Sequence, residues 1–334
     1  MGQVTAQLDR LPEFAALRTI PQYAALAHSI QSNLAPVSHT SQAVSISDTG
    51  LLPEDVDYDT AGHRFLVSSI REHKIISVTA AGAVSDFAAA PEPWPVMALR
   101  IDAARHLVWA TEVALDGFTS VSKDDSGRSA ILAFDLGTGK LLRRVESLRG
   151  TALGDMTLAP NGDLVVSDGQ SGGVYHLAAG GDALDRIDSG DFISPQTPAF
   201  LPGGHRVFIP DYLRGIAVLD VASHHVTWLA TEGKYALSGI DGLYLHERRL
   251  VAIQNGTSPE RVVVFALDAS LSRIVSESIV EESTPNLGDP THGVFIGNDF
   301  YFIANSGWDA LDDHGDLLAD AKLSASHLLR TSLR

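Results

Sequence analysis

Five stretches of this chain open on a residue able to hold a cation or move a proton. They are Glu54 in "LPEDVDYDT", Asp155 in "LGDMTLAP", Gln196 with Thr197 in "SPQTPAF", Asp241 in "SGIDGLYL" and His292 in "PTHGVFIG". Apolar residues return two and four steps later: Val56 then Tyr58 after Glu54, Leu243 and Leu245 after Asp241, Val294 and Ile296 after His292. In the third stretch the matching position is Gly154, one step before Asp155, and a sixth stretch carries Met97 ahead of Leu99 and Ile101. Carboxylates with carboxamide or hydroxyl oxygens suit a hard divalent ion, Ca²⁺ above all. Gathering such acids without a cation is costly, because each disfavours the ionised form of the next. His292 would be a further ligand or a general base. Taken singly, an acid at a strand start also serves to satisfy backbone donors or to face water.

These residues can act together only if the fold gathers them, and the chain carries a repeat that would. From residue 42 the pattern is an apolar strand, a Gly/Asn/Asp turn, a second apolar strand ending in a polar residue, then another strand. The unit recurs as "PEDVDYDTAGHRFLVSS", "VMALRIDAARHLVWATE", "LGDMTLAPNGDLVVSDG", "PQTPAFLPGGHRVFIPDY", "LSGIDGLYLHERRLVAIQN" and "PTHGVFIGNDFYFIANSG". Six units of four short strands fit a radial repeat, and the expected fold is an all-β, six-bladed β-propeller. Runs such as "LVVS" and "FYFIA" are apolar throughout, as sheets covered on both faces require. The early strand "AVSIS" (43–47) would pair with the C-terminal strands and close the ring. Innermost strands line the axis of a propeller, so the five polar heads would meet there. Ahead of the ring, Leu11, Phe14, Leu17 and Ile20 recur at helical steps until Pro21 interrupts them. The expected division is a helical N-terminal arm over 1–40 and a propeller over 41–334.

A second position also recurs, at the polar end of the second strand: Ser69, Glu112, Asp168, Asp211, Asn255 and Asn305. Residues of this kind usually close turns by bonding backbone two residues on. Asn255 and Asn305 stand apart because they share units with Asp241 and His292, and a carboxamide oxygen can face a metal or a substrate. Trp94, Tyr212 and Trp308, aromatic and in loop contexts, are candidate pocket walls; the plainer role for them is packing between blades.

Composition narrows the partners. The net charge is −17, with 41 acidic against 24 basic side chains among 334 residues, which argues against nucleic acid as a partner. Disulfides and thiolate metal sites are excluded, since there is no cysteine. No apolar run approaches the roughly 20 residues of a membrane span. The start "MGQVTAQLDR" lacks the basic-then-apolar profile of a secretory signal. The compartment stays open between the cytoplasm and export with a signal removed.

The layout of about residues 50–310 resembles the senescence-marker protein / gluconolactonase / regucalcin superfamily of six-bladed propellers and, more widely, calcium-dependent paraoxonase-like lactonases. "LPEDVDYDTAGHRFLVSS" is similar to that family's opening blade, whose Glu is a metal ligand, which puts Glu54 forward. "GIDGLYL" is similar to the blade whose Asp-Gly supplies a ligand and general base, and this maps to Asp241. Two Asn ligands of the family are missing: Gly154 replaces one beside Asp155, and Gln196-Thr197 stands at the other. "PTHGVFIGN" resembles the His-Gly element of paraoxonase-like enzymes and places His292 as a base.

The resulting expectation is a metal-dependent hydrolase of a small ester or lactone. Glu54, Asp155, Gln196, Asp241 and Asn255 would hold the ion, Asp241 or His292 would take the proton from a metal-activated water, and Trp94, Tyr212, Asn305 and Trp308 would contact the small-molecule substrate. The alternative is a non-catalytic propeller binding a small ligand or a protein partner, the latter through the helical arm.

Overall fold

Four strands are too few to bury both of their own faces, and here each sheet finds its cover in its neighbours. The computed structural model describes residues 12–333, so the predicted helical residues before Pro12 lie outside the described residues. Six sheets surround the axis, each running outward from an innermost strand and antiparallel throughout except where Ala230–Thr231 lies parallel to Arg273–Glu282 in blade 5. The innermost strands are Pro53–Asp59, Val96–Asp102, Leu153–Leu158, Ala199–Phe200, Gly242–His246 and Gly293–Ile296. The six-bladed β-propeller is the observed fold, with a short helical segment ahead of it.

Hydrophobic clusters fill the clefts between successive blades. Leu66, Val96, Leu99 and Val108 join blades 1 and 2, whereas Ile46, Val56, Phe65 and Ile303 join blades 6 and 1. A strand pressed between two such clusters has no polar face, which is why Leu164–Asp168 is buried at every position. Removing about 25 cal/mol of free energy per Å² of apolar surface from water, these clefts are the dominant stabilising term.

Blade 6 is composite. Its inner strands Gly293–Ile296 and Asp299–Ala304 and its third strand Ser326–Ser332 come late in the chain, while its outer strand is Ser41–Ile46. The pairing runs Ser41↔Arg330 to Ile46↔Ser326 with one bulge. Blade 5 is widened by Val37–Ser38, antiparallel to the outer strand Arg273–Glu282.

The arm forms a 3-10 helix, Pro12–Thr19, and an α-helix, Pro21–Asn33. Pro21 sits in the first turn, where its missing N–H costs nothing, so it begins a helix as well as ending one. Leu17, Ile20 and Leu26 are 44%, 43% and 51% exposed while Phe14, Tyr23, Ala27 and Ile30 are half-buried, so no described residue of the arm joins the buried core.

Near the axis the innermost strands gain an extra residue at their upper ends. Register shifts occur between Pro53 and Val56, Val96 and Leu99, and Leu153 and Asp155. Blade 4 slips likewise between the Pro195↔Asp211 and Ala199↔Phe208 pairs. Such bulges turn side chains toward a new face. Acids then lace strands of different blades together: Asp55 Oδ2 accepts the Leu99 N–H at 2.8 Å and Asp57 Oδ2 accepts the Ile101 N–H at 2.7 Å. Arg100 Nη1 also donates to Asp55 Oδ2 at 2.6 Å, a buried ion pair below the site.

Candidate active site on the propeller axis

His292 opens the innermost strand of blade 6 and is 2% exposed. Its Nδ1 lies 3.0 Å from the carbonyl oxygen of Glu54, which can only accept, so Nδ1 carries a proton. Its Nε2 lies 2.6 Å from Asp155 Oδ1 and 2.9 Å from Thr197 Oγ1. Thr197 Oγ1 in turn donates to the same Asp155 oxygen at 2.9 Å. Blades 1, 3, 4 and 6 thus meet at one imidazole. Burial alone would push His292 down, yet the electron-rich surroundings of Tyr244, Asp241, Asp55 and Asp155 hold it well above the ordinary imidazole range. That shift favours the doubly protonated ring, with Nε2 facing Asp155.

Asp241 stands beside this cluster, partly exposed. Asn255 Nδ2 donates to Asp241 Oδ2 at 2.8 Å and to the Pro290 carbonyl at 3.1 Å. The Tyr212 hydroxyl donates to Asn255 Oδ1 at 3.0 Å, which fixes the amide with its NH₂ toward the acid. Burial, together with Asp155, pushes Asp241 up to about 7 against the pull of His292 and the Asn255 bond. Glu54 is held at its other side by Trp308, whose Nε1 donates to Oε2 at 2.6 Å. Burial, then the neighbouring Asp241 and Asp155 charges, push Glu54 up to about 8, with His292 and the Trp308 bond opposing. Two carboxyls therefore titrate near neutrality around one fixed positive charge.

Further out lies a second acidic pair. Glu260 Oε2 accepts the Asp289 N–H at 2.8 Å. Burial and Asp289 push Glu260 up to about 7, and burial and Asp309 push Asp289 up to about 6. Burial and the charges of Asp241, Asp289 and Glu260 keep Tyr212 above its usual range, so its hydroxyl remains a donor to Asn255.

The fold gathers Glu54, Asp155, Asp241, Asn255, His292, Tyr212 and Trp308. Gln196 it does not: the carboxamide Nε2 donates to Ser194 Oγ at 2.9 Å, and Thr197 faces the axis in its place. Trp94 is fully buried under the guanidinium groups of Arg128 and Arg144, 5.2 and 5.5 Å from its ring centre. Asn305 Nδ2 bonds Ser324 Oγ at 2.7 Å and the Ala325 carbonyl at 3.0 Å, where it braces a loop. The other second-strand ends do turn and brace work: Asp168 accepts from the N–H groups of Gln170 and Ser171, and Glu112 pairs with Arg144. Tyr244, unremarked in the sequence, accepts the Gly293 N–H at 2.8 Å and holds blade 6 against blade 5. Its place three residues after Asp241 on an innermost strand is the signal that could have found it.

The donor set does not fit a divalent ion in this arrangement. Among the described residues, no three His, Asp or Glu side chains form a group that could hold one. Asp155 bonds His292 and Thr197, Asn255 presents its NH₂ to Asp241, and each His292 nitrogen has a partner of its own. The imidazolium supplies the positive charge that the acids require.

No family model and no curated protein match the sequence. Solved structures do match in fold. A gluconolactonase from Xanthomonas campestris is 16% identical with a TM-score of 0.57, the match covering 85% of this chain and 88% of that one. A calcium-binding regucalcin from Agrobacterium tumefaciens is 17% identical with a TM-score of 0.58 over 88% of this chain and 95% of that one. An aldose sugar dehydrogenase from Streptomyces coelicolor, in its PQQ-bound form, is 13% identical with a TM-score of 0.58 over 88% and 99% of the two chains. No described helix is long and apolar enough to cross a membrane. This chain shares the six-bladed propeller fold of gluconolactonase-like and regucalcin-like proteins.

Proposed function

We propose that the axial cluster hydrolyses a small ester or lactone with its own acid and base groups. The observation that carries this reading is the meeting of Glu54, Asp155, Thr197 and His292 on the axis, with Asp241 beside them and burial raising Asp241 to about 7 and Glu54 to about 8. A base poised near the working pH and an acid slightly above it are the two groups that hydrolysis needs. Asp241 has one oxygen bonded to Asn255 and is itself partly exposed. As a carboxylate it takes a proton from water, and the water oxygen adds to the carbonyl carbon. The oxyanion forms beside the buried positive charge of His292, whose value is raised by the low dielectric around it. The acyl C–O bond then breaks, and the leaving alkoxide takes the proton of the Glu54 carboxylic acid. Water is consumed, and a carboxylic acid and an alcohol result; in a lactone the two stay in one molecule.

These steps use the chain's own acid and base groups, and none is routed through a divalent ion. The calcium of the Agrobacterium neighbour and the quinone cofactor of the Streptomyces one belong to those proteins. A panel of lactones and aryl esters tests the reading, assayed with the wild type, Asp241→Asn and Glu54→Gln. Loss of either group should slow turnover by about 10² or more. Turnover that survives both substitutions together, or a wild type inert to the whole panel, sinks the hydrolase reading and leaves the propeller as a binding module.

A further inference from the structure

Residues 305–325 leave blade 6 between its second and third strands and return as a closed strap. Asn305 bonds Ser324 and Ala325, so the two ends meet. Inside it the Leu318 N–H donates to the Ala310 carbonyl at 2.9 Å, and Leu311 pairs with Leu317. The Asp312 carboxylate accepts the N–H groups of His314 at 2.8 Å and Asp316 at 3.0 Å. Loops whose ends touch and whose interior is self-bonded move as units.

The strap has two anchorages outside itself. At its base, Ser306 Oγ donates to the Asp289 carbonyl at 2.7 Å, and Trp308 reaches Glu54 at 2.6 Å. At its tip it meets residues 117–119 of a loop from blade 2. There the Thr119 N–H donates to the His314 carbonyl at 2.9 Å and Thr119 Oγ1 donates to Asp316 Oδ1 at 3.0 Å. His314 Nδ1 donates to the Gly117 carbonyl at 3.2 Å. The Phe118 ring lies so close to Gly315 that a Cβ there would stand 2.5 Å from it, so only glycine fits this contact. The tip anchorage is solvent-exposed, and exposed hydrogen bonds are the first to open.

We propose that Trp308 is a positioning residue for Glu54, and that the contact of residues 117–119 with 314–316 latches it in place from a distance. The inference rests on the hydrolytic reading. Glu54, Asp155 and His292 are 6%, 5% and 2% exposed, so a substrate reaches them only when something over them moves. The strap is the element that touches Glu54 and is fastened at its far end by surface contacts alone. With the latch closed, the indole N–H holds one Glu54 oxygen and leaves the other for the leaving group. With it open, Glu54 loses that hold and the mouth widens.

The chain has no cysteine, so Thr119→Cys with Asp316→Cys introduces one thiol pair across the latch. The double variant, oxidised with diamide or reduced with dithiothreitol, is one protein in two states. Oxidation should slow aryl-ester turnover at least tenfold, and reduction should restore it. Trp308→Phe should lower kcat about tenfold and move KM less than threefold, which a merely structural loss would not do. Acrylamide should quench tryptophan emission less in the oxidised form, and that difference should vanish when Trp308→Phe is added. Equal turnover in the two redox states, or a kcat unchanged by Trp308→Phe, overturns the proposal. If the wild type proves inert to every ester, the hydrolytic reading fails by itself. Quenching then decides the latch: equal quenching in the two states overturns it, and a Trp308-dependent difference upholds it.

Discussion

His292 Nε2 and Asp155 Oδ1 stand 2.6 Å apart although 137 positions separate them along the chain. Asp155 is the carboxylate in direct contact with the ring, alongside the more distant Tyr244, Asp241 and Asp55 that also raise His292. The pair makes the axis a place where blades are joined by electrostatics as well as by packing. Asp155→Asn should therefore destabilise the fold by about 3 kcal/mol, because it leaves a buried cation short of a partner. Denaturant melts at neutral pH measure this; a change under about 1 kcal/mol would mean that His292 is neutral in the native state.

The rate profile should be bell-shaped in pH. Asp241 must be ionised to accept a proton, so kcat/KM rises as pH passes about 7. Glu54 must be protonated to donate, so it falls again above about 8. Asp241→Asn should abolish the acid limb of whatever activity remains, and Glu54→Gln the alkaline limb. Limbs unmoved by the two variants would assign the proton transfers elsewhere.

Stability should depend on pH with a sign opposite to that of ordinary ion-paired carboxylates. Both acids hold protons more tightly folded than at their usual values of 4.5 and 3.8. The folded state thus binds more protons, and stability is lost as pH rises through these folded values. His292 adds to the same trend, since its folded value is also raised. At pH 9 the Glu54→Gln, Asp241→Asn double variant should be the more stable protein, since it carries neither buried acid that must ionise there. Thermal melts from pH 5 to 9 read this directly, and parallel curves for wild type and variant would refute it.

Chelation should change nothing. Protein dialysed against EDTA is expected to keep its full rate and melting temperature, and total metal analysis should find far less than one divalent ion per chain. A stoichiometric ion that disappears in the Glu54→Gln, Asp241→Asn variant would replace the imidazolium-centred arrangement by an ion-centred one.

Tyr212→Phe should act through Asn255. Without the hydroxyl, the carboxamide is free to turn its oxygen toward Asp241, repelling the carboxylate it now supports. Losing one such hydrogen bond is worth about 1 kcal/mol, or roughly a fivefold drop in kcat. An unaltered kcat would mean that Tyr212 does not act through Asn255.

The repeat of strand, turn and strand carried the fold into view, because six units each needing cover on two faces have few other solutions. The register at the axis was less legible. Counting in twos from the apolar residues points to Gly154 and Gln196, while Asp155 and Thr197 are the side chains that reach His292. The cause is the extra residue near the top of the innermost strands of blades 3 and 4, which reverses which side chain faces inward. No local propensity announces such a bulge. Trp308 and Glu54 lie 254 positions apart, and the strap that joins them has no periodic pattern to read. Trp94 shows the reverse case: a loop-flanked aromatic in sequence, it is spent between two arginines in blade 2.

Blade 6 takes its outermost strand from Ser41–Ile46 and its third from Ser326–Ser332. Ser41–Ile46 therefore has no ladder partner in blade 6 until Ser326–Ser332 is in place, whatever the order in which the blades between them fold. Glu54 and His292, 238 positions apart, belong to the two blades that this late closure brings side by side. A chain lacking Ser326–Ser332 would keep the strands of blades 1 to 5 but lose the pairing that carries Ser41–Ile46 into blade 6, and with it the frame in which Glu54 and His292 meet.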